Sequence, residues 1–509
     1  MSDVAPLNSP AAAPVEYFDV LIVGAGISGI GAAHHLIKQC PTKSFALLES
    51  KASYGGTWRQ HTYPGIRSDS DLHTFGYRFK PWAGKPIASG EAILEYLEEA
   101  IADDHLEQHI RYGHQVLNAA WSSAEQQWVL RVRDGSGEER NIACNFLWMC
   151  QGYYRHAEGY TPNWPGMQDF AGPIVHPQTW PQDLDYTGKR VVVIGSGATA
   201  ATLIPNMADK CAHITMLQRS PTYFWTGENR NELAEQLRAL DIPQEWTHEI
   251  VRRSILKQQQ EIQSLSAQHP EMIKDELFKV IRGYLGDDFD MSHFTPRYRP
   301  WQQRVAFVPD GDLFLGIKSG KVDVVTDEID HFTAEGIVTQ SGKVLPADII
   351  ITATGFDLSV MGDMAFAVDG KAVDFSKTYT YRGIMVSGVP NMSSMFGYLR
   401  TSWTMRVDLV CDYVCRLLNT MDEQGMAVCM PTLREQDRQM PMLPWIDEEE
   451  FNPGYMQRNV HLMPKRGDHE PWTFSADYYT EREQLPLASL DDDALVYTPL
   501  AAAGRDKTA

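Results

Sequence analysis

Two stretches of the chain share one pattern. A short β-branched run leads into a glycine-rich turn, and the turn opens into small and apolar residues at helical spacing. The first passes from Phe18–Val23 into Gly24-Ala25-Gly26-Ile27-Ser28-Gly29, the second from Arg190–Ile194 into Gly195-Ser196-Gly197-Ala198-Thr199-Ala200. Short apolar runs bounded by glycine predict buried parallel strands. A second run completes each βαβ unit, Ser44 to Leu48 in one and His213 to Leu217 in the other.

Between and beyond the units, the pattern predicts a helix over Ser89 to Ile101 and a hairpin of Trp128–Arg133 with Asn141–Trp148 across Asp134-Gly135-Ser136-Gly137. Gln151 to Pro181 is rich in proline and reads as an interdomain crossing. Asn229 to Met291 is helical and strongly polar, with no glycine before Gly283, and is expected to be a solvated helical hairpin. Strands come next at Val322–Val325 and Asp348–Ala353, then a helix from Thr404 to Met421 and an irregular tail. The expected fold is α/β, with two Rossmann-like dinucleotide-binding domains and a helical insertion in the second. Residues 1–16 are a disordered arm, and 17–150 with 385–509 form the first domain. Residues 151–228 with 293–384 form the second, and 229–292 the insertion.

Each fingerprint glycine has a task. The first allows the tight strand-to-helix turn, the second lets backbone approach a pyrophosphate, and the third lets helix pack on sheet, so that phosphates rest at a helix N-terminus. The residues downstream of each fingerprint separate the two nucleotides. Glu49 stands 25 positions after Gly24, where a carboxylate accepts hydrogen bonds from ribose hydroxyls and favours an adenosine without a 2′-phosphate, such as FAD. Arg219, with Ser220 beside it, stands 24 positions after Gly195, where a guanidinium pairs with a 2′-phosphate and points to NADPH.

Composition narrows the setting. A chain of 509 residues with 43% hydrophobic content is long enough for two or three domains with their own cores. A formal net charge of −21 argues against nucleic acid or an anionic membrane as a main partner. The seven cysteines are scattered and odd in number, which suits a reducing cytosol. There is no Cys-x-x-Cys, against a flavin disulfide reductase. No metal site and no transmembrane segment are expected, and oligomeric state is left open.

One further segment sets the class. Phe170-Ala171-Gly172-Pro173-Ile174-Val175-His176-Pro177-Gln178-Thr179-Trp180-Pro181 fits F-x-G-x-x-x-H-x-x-x-W-[PD]. With the two fingerprints, Gly55-Gly56-Thr57-Trp58 and Ala353-Thr354-Gly355-Phe356, the chain resembles the type I Baeyer–Villiger monooxygenases. Within them Tyr63-Pro64-Gly65-Ile66-Arg67-Ser68-Asp69-Ser70-Asp71 and Pro300-Trp301-Gln302-Gln303-Arg304 look most like the ethionamide-activating group. The resemblance implies an FAD- and NADPH-dependent enzyme that uses O₂ to insert oxygen beside a ketone carbonyl through a flavin C4a-peroxide. Sulfoxidation of thioethers is implied as a side activity.

By resemblance Arg304 stabilises the negative charge of oxygen transfer, and Asp69 orients it. Ser28, Gly56, Thr57, Trp58, Asp69 and Val116 match FAD-contacting positions. Arg67, Ser68 and Asp69 match positions near NADP, Ser196 to Thr202 its pyrophosphate cradle, and Arg219-Ser220 its 2′-phosphate site. Phe170, Gly172, His176 and Trp180 organise the interdomain crossing. One departure stands out: many members carry lysine where this chain has Gln303. The competing readings are a flavin monooxygenase acting mainly on sulfur or nitrogen, and a nucleotide-binding module without catalysis.

Overall fold

The computed structural model describes residues 15–501. Most of the arm expected over residues 1–16 lies outside them, and Glu16 already opens the first strand. Two sheets organise the molecule. In the first, the strand Glu16–Val23 lies between Phe45–Leu48 and Glu139–Met149, parallel to both. Glu139–Met149 then turns the sheet antiparallel by pairing with Gln127–Arg133, which pairs in turn with Gln115–Ser122. The second sheet is wholly parallel and runs, edge to edge, Val322–Thr326, His213–Gln218, Arg190–Ile194, Ile349–Thr352 and Ile174–Val175.

The central strands are buried on both faces, as their unbroken apolar runs require: Val20, Leu21 and Ile22 in one sheet, Val192 and Val193 in the other, are fully buried. The helix Gly90–Asp103 forms where expected, with the Ser89 side chain accepting the Ala92 N–H as its cap. The helix Thr404–Glu423 buries one face against Ile27–Gln39, and Cys411 and Cys415 lie inside that packing rather than at a metal or redox site. No helix among the described residues is long and apolar enough to cross a membrane.

Three expectations change. The return to the first sheet comes earlier than residue 385: Ala365–Val368 pairs with Gln115–Ser122, and Lys371–Ala372 pairs with Ala365–Val368. These short runs carry too little periodicity to be assigned locally. The tail is more regular than expected, because Met426–Pro431 pairs antiparallel with Leu495–Pro499. A fully buried Arg406 also meets Glu481 at 2.9 Å and anchors the tail to the Thr404 helix.

The polar stretch 229–292 is not a solvated hairpin. It folds as three helices, Glu232–Ala239, Gln244–Gln268 and Pro270–Leu285. Several of its polar side chains are buried ties to other parts of the chain. Arg252 is 5% exposed and donates to the carbonyls of His73, Thr74 and Gly76. The Leu256 carbonyl accepts from Tyr479, and Gln263 donates to the Arg400 carbonyl. A polar residue with three partners has the same hydropathy as one in water, so periodicity could not reveal this role.

Candidate active site

The two glycine turns are built alike. Gly24 and Gly195 have φ of +104° and +125°, and each donates its N–H to the carbonyl ending the neighbouring strand, Leu48 or Leu217, at 2.8 Å. A side chain on either would strike backbone on the other flank, the Cys150 carbonyl in one unit and the Ala353 carbonyl in the other. Glycine is therefore required twice for the same two reasons. Gly29 packs its Cα so closely on the first turn that an added Cβ would lie 1.9 Å from the Gly24 oxygen. Ala200, at the same place in the second unit, is fully buried.

At the strand ends the units diverge. Glu49 is buried, and its carboxylate accepts the Ala25 N–H and the Lys51 N–H, each at 2.8 Å. The Glu49 carbonyl accepts from His114, which brings the chain entering Val116 beside it. Arg219 and Ser220 are exposed at the end of the second unit. The Ser196 hydroxyl bridges to the Ser220 carbonyl and to Thr222, tying the glycine turn to that strand end.

The loop that carries Arg304 and the segment that carries Asp69 meet through an ion pair. Arg304 donates from Nη1 to Asp69 at 3.0 Å, joining segments 235 residues apart. The Arg304 side chain is 39% accessible. Burial works against its charge, and the Asp69 carboxylate more than reverses that, so the pKa is raised and the cation is permanent. The Arg304 loop is held from two sides: Ser266 of the insertion donates to the Pro300 carbonyl, and the Gln302 carbonyl accepts the Asn452 N–H. Gln303 spends its amide on Asn452. Beside Asp69, Arg67 makes a two-point ion pair with Asp312 at 2.6 and 3.2 Å, and Ser68 is buried, its hydroxyl donating to the Ser70 carbonyl.

Residues 87–377 match the flavin-binding monooxygenase-like family, and residues 22–82 match an NAD(P)-binding Rossmann-like domain. The FAD-containing monooxygenase EthA of Mycobacterium tuberculosis is 45% identical over 94% of this chain and 97% of its own. The probable FAD-binding monooxygenase AlmA of an Acinetobacter species is 44% identical over 94% and 96%. The chain belongs to the flavin-binding monooxygenase family. Among solved structures, an oxidised steroid monooxygenase bound to NADP aligns with TM-score 0.75 at 23% identity, covering 95% of this chain and all of that one. A Rhodococcus cyclohexanone monooxygenase bound to NADP⁺ aligns with TM-score 0.74 at 19% identity, with the same coverage. These two show the same fold.

The residues of this family member fit a bound dinucleotide at each fingerprint. The helices Ile27–Gln39 and Ala198–Ala208 begin at Gly26 and Gly197 with no side-chain cap and no acidic residue in the first turn. Their free N–H groups are left for a phosphate. A Cβ on Gly197 would meet nothing within 4 Å, so the space before that helix is open. Gly56 packs on Gly26, Gly55 donates to the Ala25 carbonyl, and Thr57 and Trp58 begin the short helix Thr57–Gln60 there.

The crossing is anchored rather than catalytic in its geometry. His176 accepts the Gln178 N–H at Nδ1, which leaves the proton on Nε2 for donation to the Gly355 carbonyl at 3.1 Å. Burial lowers its pKa, and the ring packs so closely on Gly159 that a Cβ there would overlap it. Phe170 lies in the core beneath the second sheet, Gly172 passes close to the Asp348 carbonyl, and Trp180 stacks edge-on to Tyr186.

Sequence reasoning missed an aromatic group formed by Tyr153, Tyr154, Trp403 and Tyr455. Tyr153 and Tyr154 share a hydroxyl hydrogen bond at 2.7 Å, and Tyr153 stacks on Trp403, whose indole N–H donates to Ser28. Tyr455 closes the same group from the C-terminal segment. The adjacent Tyr153-Tyr154 pair after the first sheet was the available signal. Nothing local marks Tyr455. Arg458 was missed as well: it lies 3.5 Å over the Tyr160 ring, where burial, with a smaller contribution from nearby Arg219, lowers its pKa.

Proposed function

We propose that this chain is an FAD- and NADPH-dependent monooxygenase that inserts one oxygen atom of O₂ beside a ketone carbonyl, giving an ester or lactone. FAD takes the Gly24–Glu49 unit and NADPH the Gly195–Arg219 unit. The observation that carries the reading is the Arg304–Asp69 ion pair near the aromatic group of Tyr153, Tyr154 and Tyr455. FAD, reduced by NADPH, supplies the activation of O₂. The chain supplies the rest: Arg304 offers a fixed cation to the negative charge that builds on oxygen during transfer to a carbonyl, in surroundings of low polarity where that charge is worth most. Asp69 keeps the guanidinium from rotating away, and Tyr153, Tyr154 and Trp403 exclude water. The seven free, buried cysteines accord with a reducing cytoplasm.

The test is a panel of linear, cyclic and aryl ketones with thioethers, in which product mass is scored against NADPH consumed. Ester or lactone from ketones supports the proposal, with sulfoxide as a lesser product. Sulfoxide or N-oxide as the sole product replaces it with a heteroatom oxygenase. A colourless, inert protein overturns both.

A further inference from the structure

Tyr455 carries a hydroxyl that the fold leaves unused. Its Oη is buried and has no hydrogen-bond partner among the described residues. A buried hydroxyl without a partner is costly, and native proteins accept it chiefly where a ligand or water completes the bond. The location is specific. The Tyr455 ring lies 5.9 Å from Tyr154, centroid to centroid, at 66°, and Tyr153, Tyr154 and Tyr455 are all among the groups that raise the Arg304 pKa. Tyr153 and Tyr154 hydrogen-bond to one another at 2.7 Å.

The backbone holds this arrangement in register. Asn452 donates its N–H to the Gln302 carbonyl at 3.0 Å, and its side chain accepts from Gln303 at 3.2 Å. The segment entering Tyr455 is thus fastened to the two residues before Arg304. Leu358, Phe396, Trp445 and Met456 form the apolar cluster on which Tyr455 packs. An apolar wall that carries a hydroxyl donor beside a fixed cation is the chemistry that recognises a hydrocarbon bearing an oxygen acceptor.

We propose that Tyr455 is a substrate-contacting residue whose hydroxyl donates a hydrogen bond to the carbonyl oxygen of an apolar ketone held beside Arg304. The inference rests on the ketone reading above. The bond orients the carbonyl carbon and polarises it, whereas a thioether sulfur has no such acceptor and gains little from it. Tyr455 therefore biases the site toward ketones over sulfur compounds.

The experiment compares wild type with Tyr455→Phe, which keeps the ring and removes only the hydroxyl. Calorimetric titration of the oxidised holoenzyme with NADP⁺ uses acetophenone and its hydrocarbon isostere α-methylstyrene, so that no turnover occurs. Acetophenone should bind about three- to tenfold more weakly to the variant, with α-methylstyrene unchanged. In turnover with equal acetophenone and thioanisole, the ester-to-sulfoxide ratio should fall by a similar factor while flavin reduction by NADPH keeps its rate. Unchanged acetophenone affinity and product ratio overturn the assignment of Tyr455 alone. If wild type makes no ester from any ketone, the ketone reading fails, and the binding preference for acetophenone over α-methylstyrene, lost or kept in Tyr455→Phe, still decides Tyr455.

Discussion

Arg304 brings a permanent charge, paired with Asp69, beside a group of aromatic rings, and in the proposed reaction its role begins only once oxygen is being transferred. Arg304→Ala should therefore retain FAD and be reduced by NADPH at close to the parental rate. Ketone oxygenation should fall about 10²–10³-fold, as it does when a fixed donor to a developing anion is removed. NADPH would then be spent on hydrogen peroxide, and stopped-flow reduction followed by product analysis separates the two halves. Parental ester formation would place the cationic partner elsewhere. Arg219 is proposed to act on the other substrate. It lies exposed at the strand end opposite in sign to Glu49, so Arg219→Ala should weaken NADPH about ten- to a hundredfold and leave NADH little changed. Equal loss for both cofactors would remove the 2′-phosphate from this site.

The elements that carry these residues are joined by polar ties rather than by apolar contact alone. His176 fastens the crossing to Gly355 through a proton fixed on Nε2. His176→Ala should keep FAD while lowering turnover and raising hydrogen peroxide released per NADPH; normal rate and normal coupling would reduce the crossing to a tether. The insertion is fastened through Arg252. Arg252→Met removes the guanidinium donor from the carbonyls of His73, Thr74 and Gly76 in a buried site, where the Thr404 hydroxyl reaches only the latter two. The expected loss is about 2–5 kcal/mol, read as a lowered urea midpoint. A change within about 0.5 kcal/mol would return the insertion to the solvated role its composition suggests.

The whole molecule should respond to pH through one buried group. His35 lies between the helices Ile27–Gln39 and Thr404–Glu423. Burial disfavours its charge, but hydrogen bonds to Asp408 and Asp412 more than reverse that and raise its pKa to about 9. A folded-state value above the unfolded one means that protonation favours the native state. The contribution, of order 3 kcal/mol, is complete below about pH 6.5 and is lost as pH rises toward 9. Urea unfolding at pH 6, 7.5 and 9 should show the gap between wild type and His35→Gln closing as pH increases. A gap that is constant across this range would mean that His35 is neutral.

The sequence by itself determined the βαβ units, their two glycine turns and the sorting of charge at their strand ends. Each depends on residues close along the chain: a φ that only glycine tolerates, an apolar run buried on both faces, a charge at the end of the next strand. Resemblance added the identities of Arg304 and Asp69. Only the tertiary structure decided that these two meet across 235 residues, that Ala365–Val368 rejoins the first sheet, and that Tyr153, Tyr154 and Tyr455 form one aromatic group. It also turned Arg252 from a solvated residue into a buried clasp. Such pairings are selected by burial and hydrogen-bond satisfaction between distant segments, and hydropathy along the chain is the same whether a polar side chain meets water or a partner.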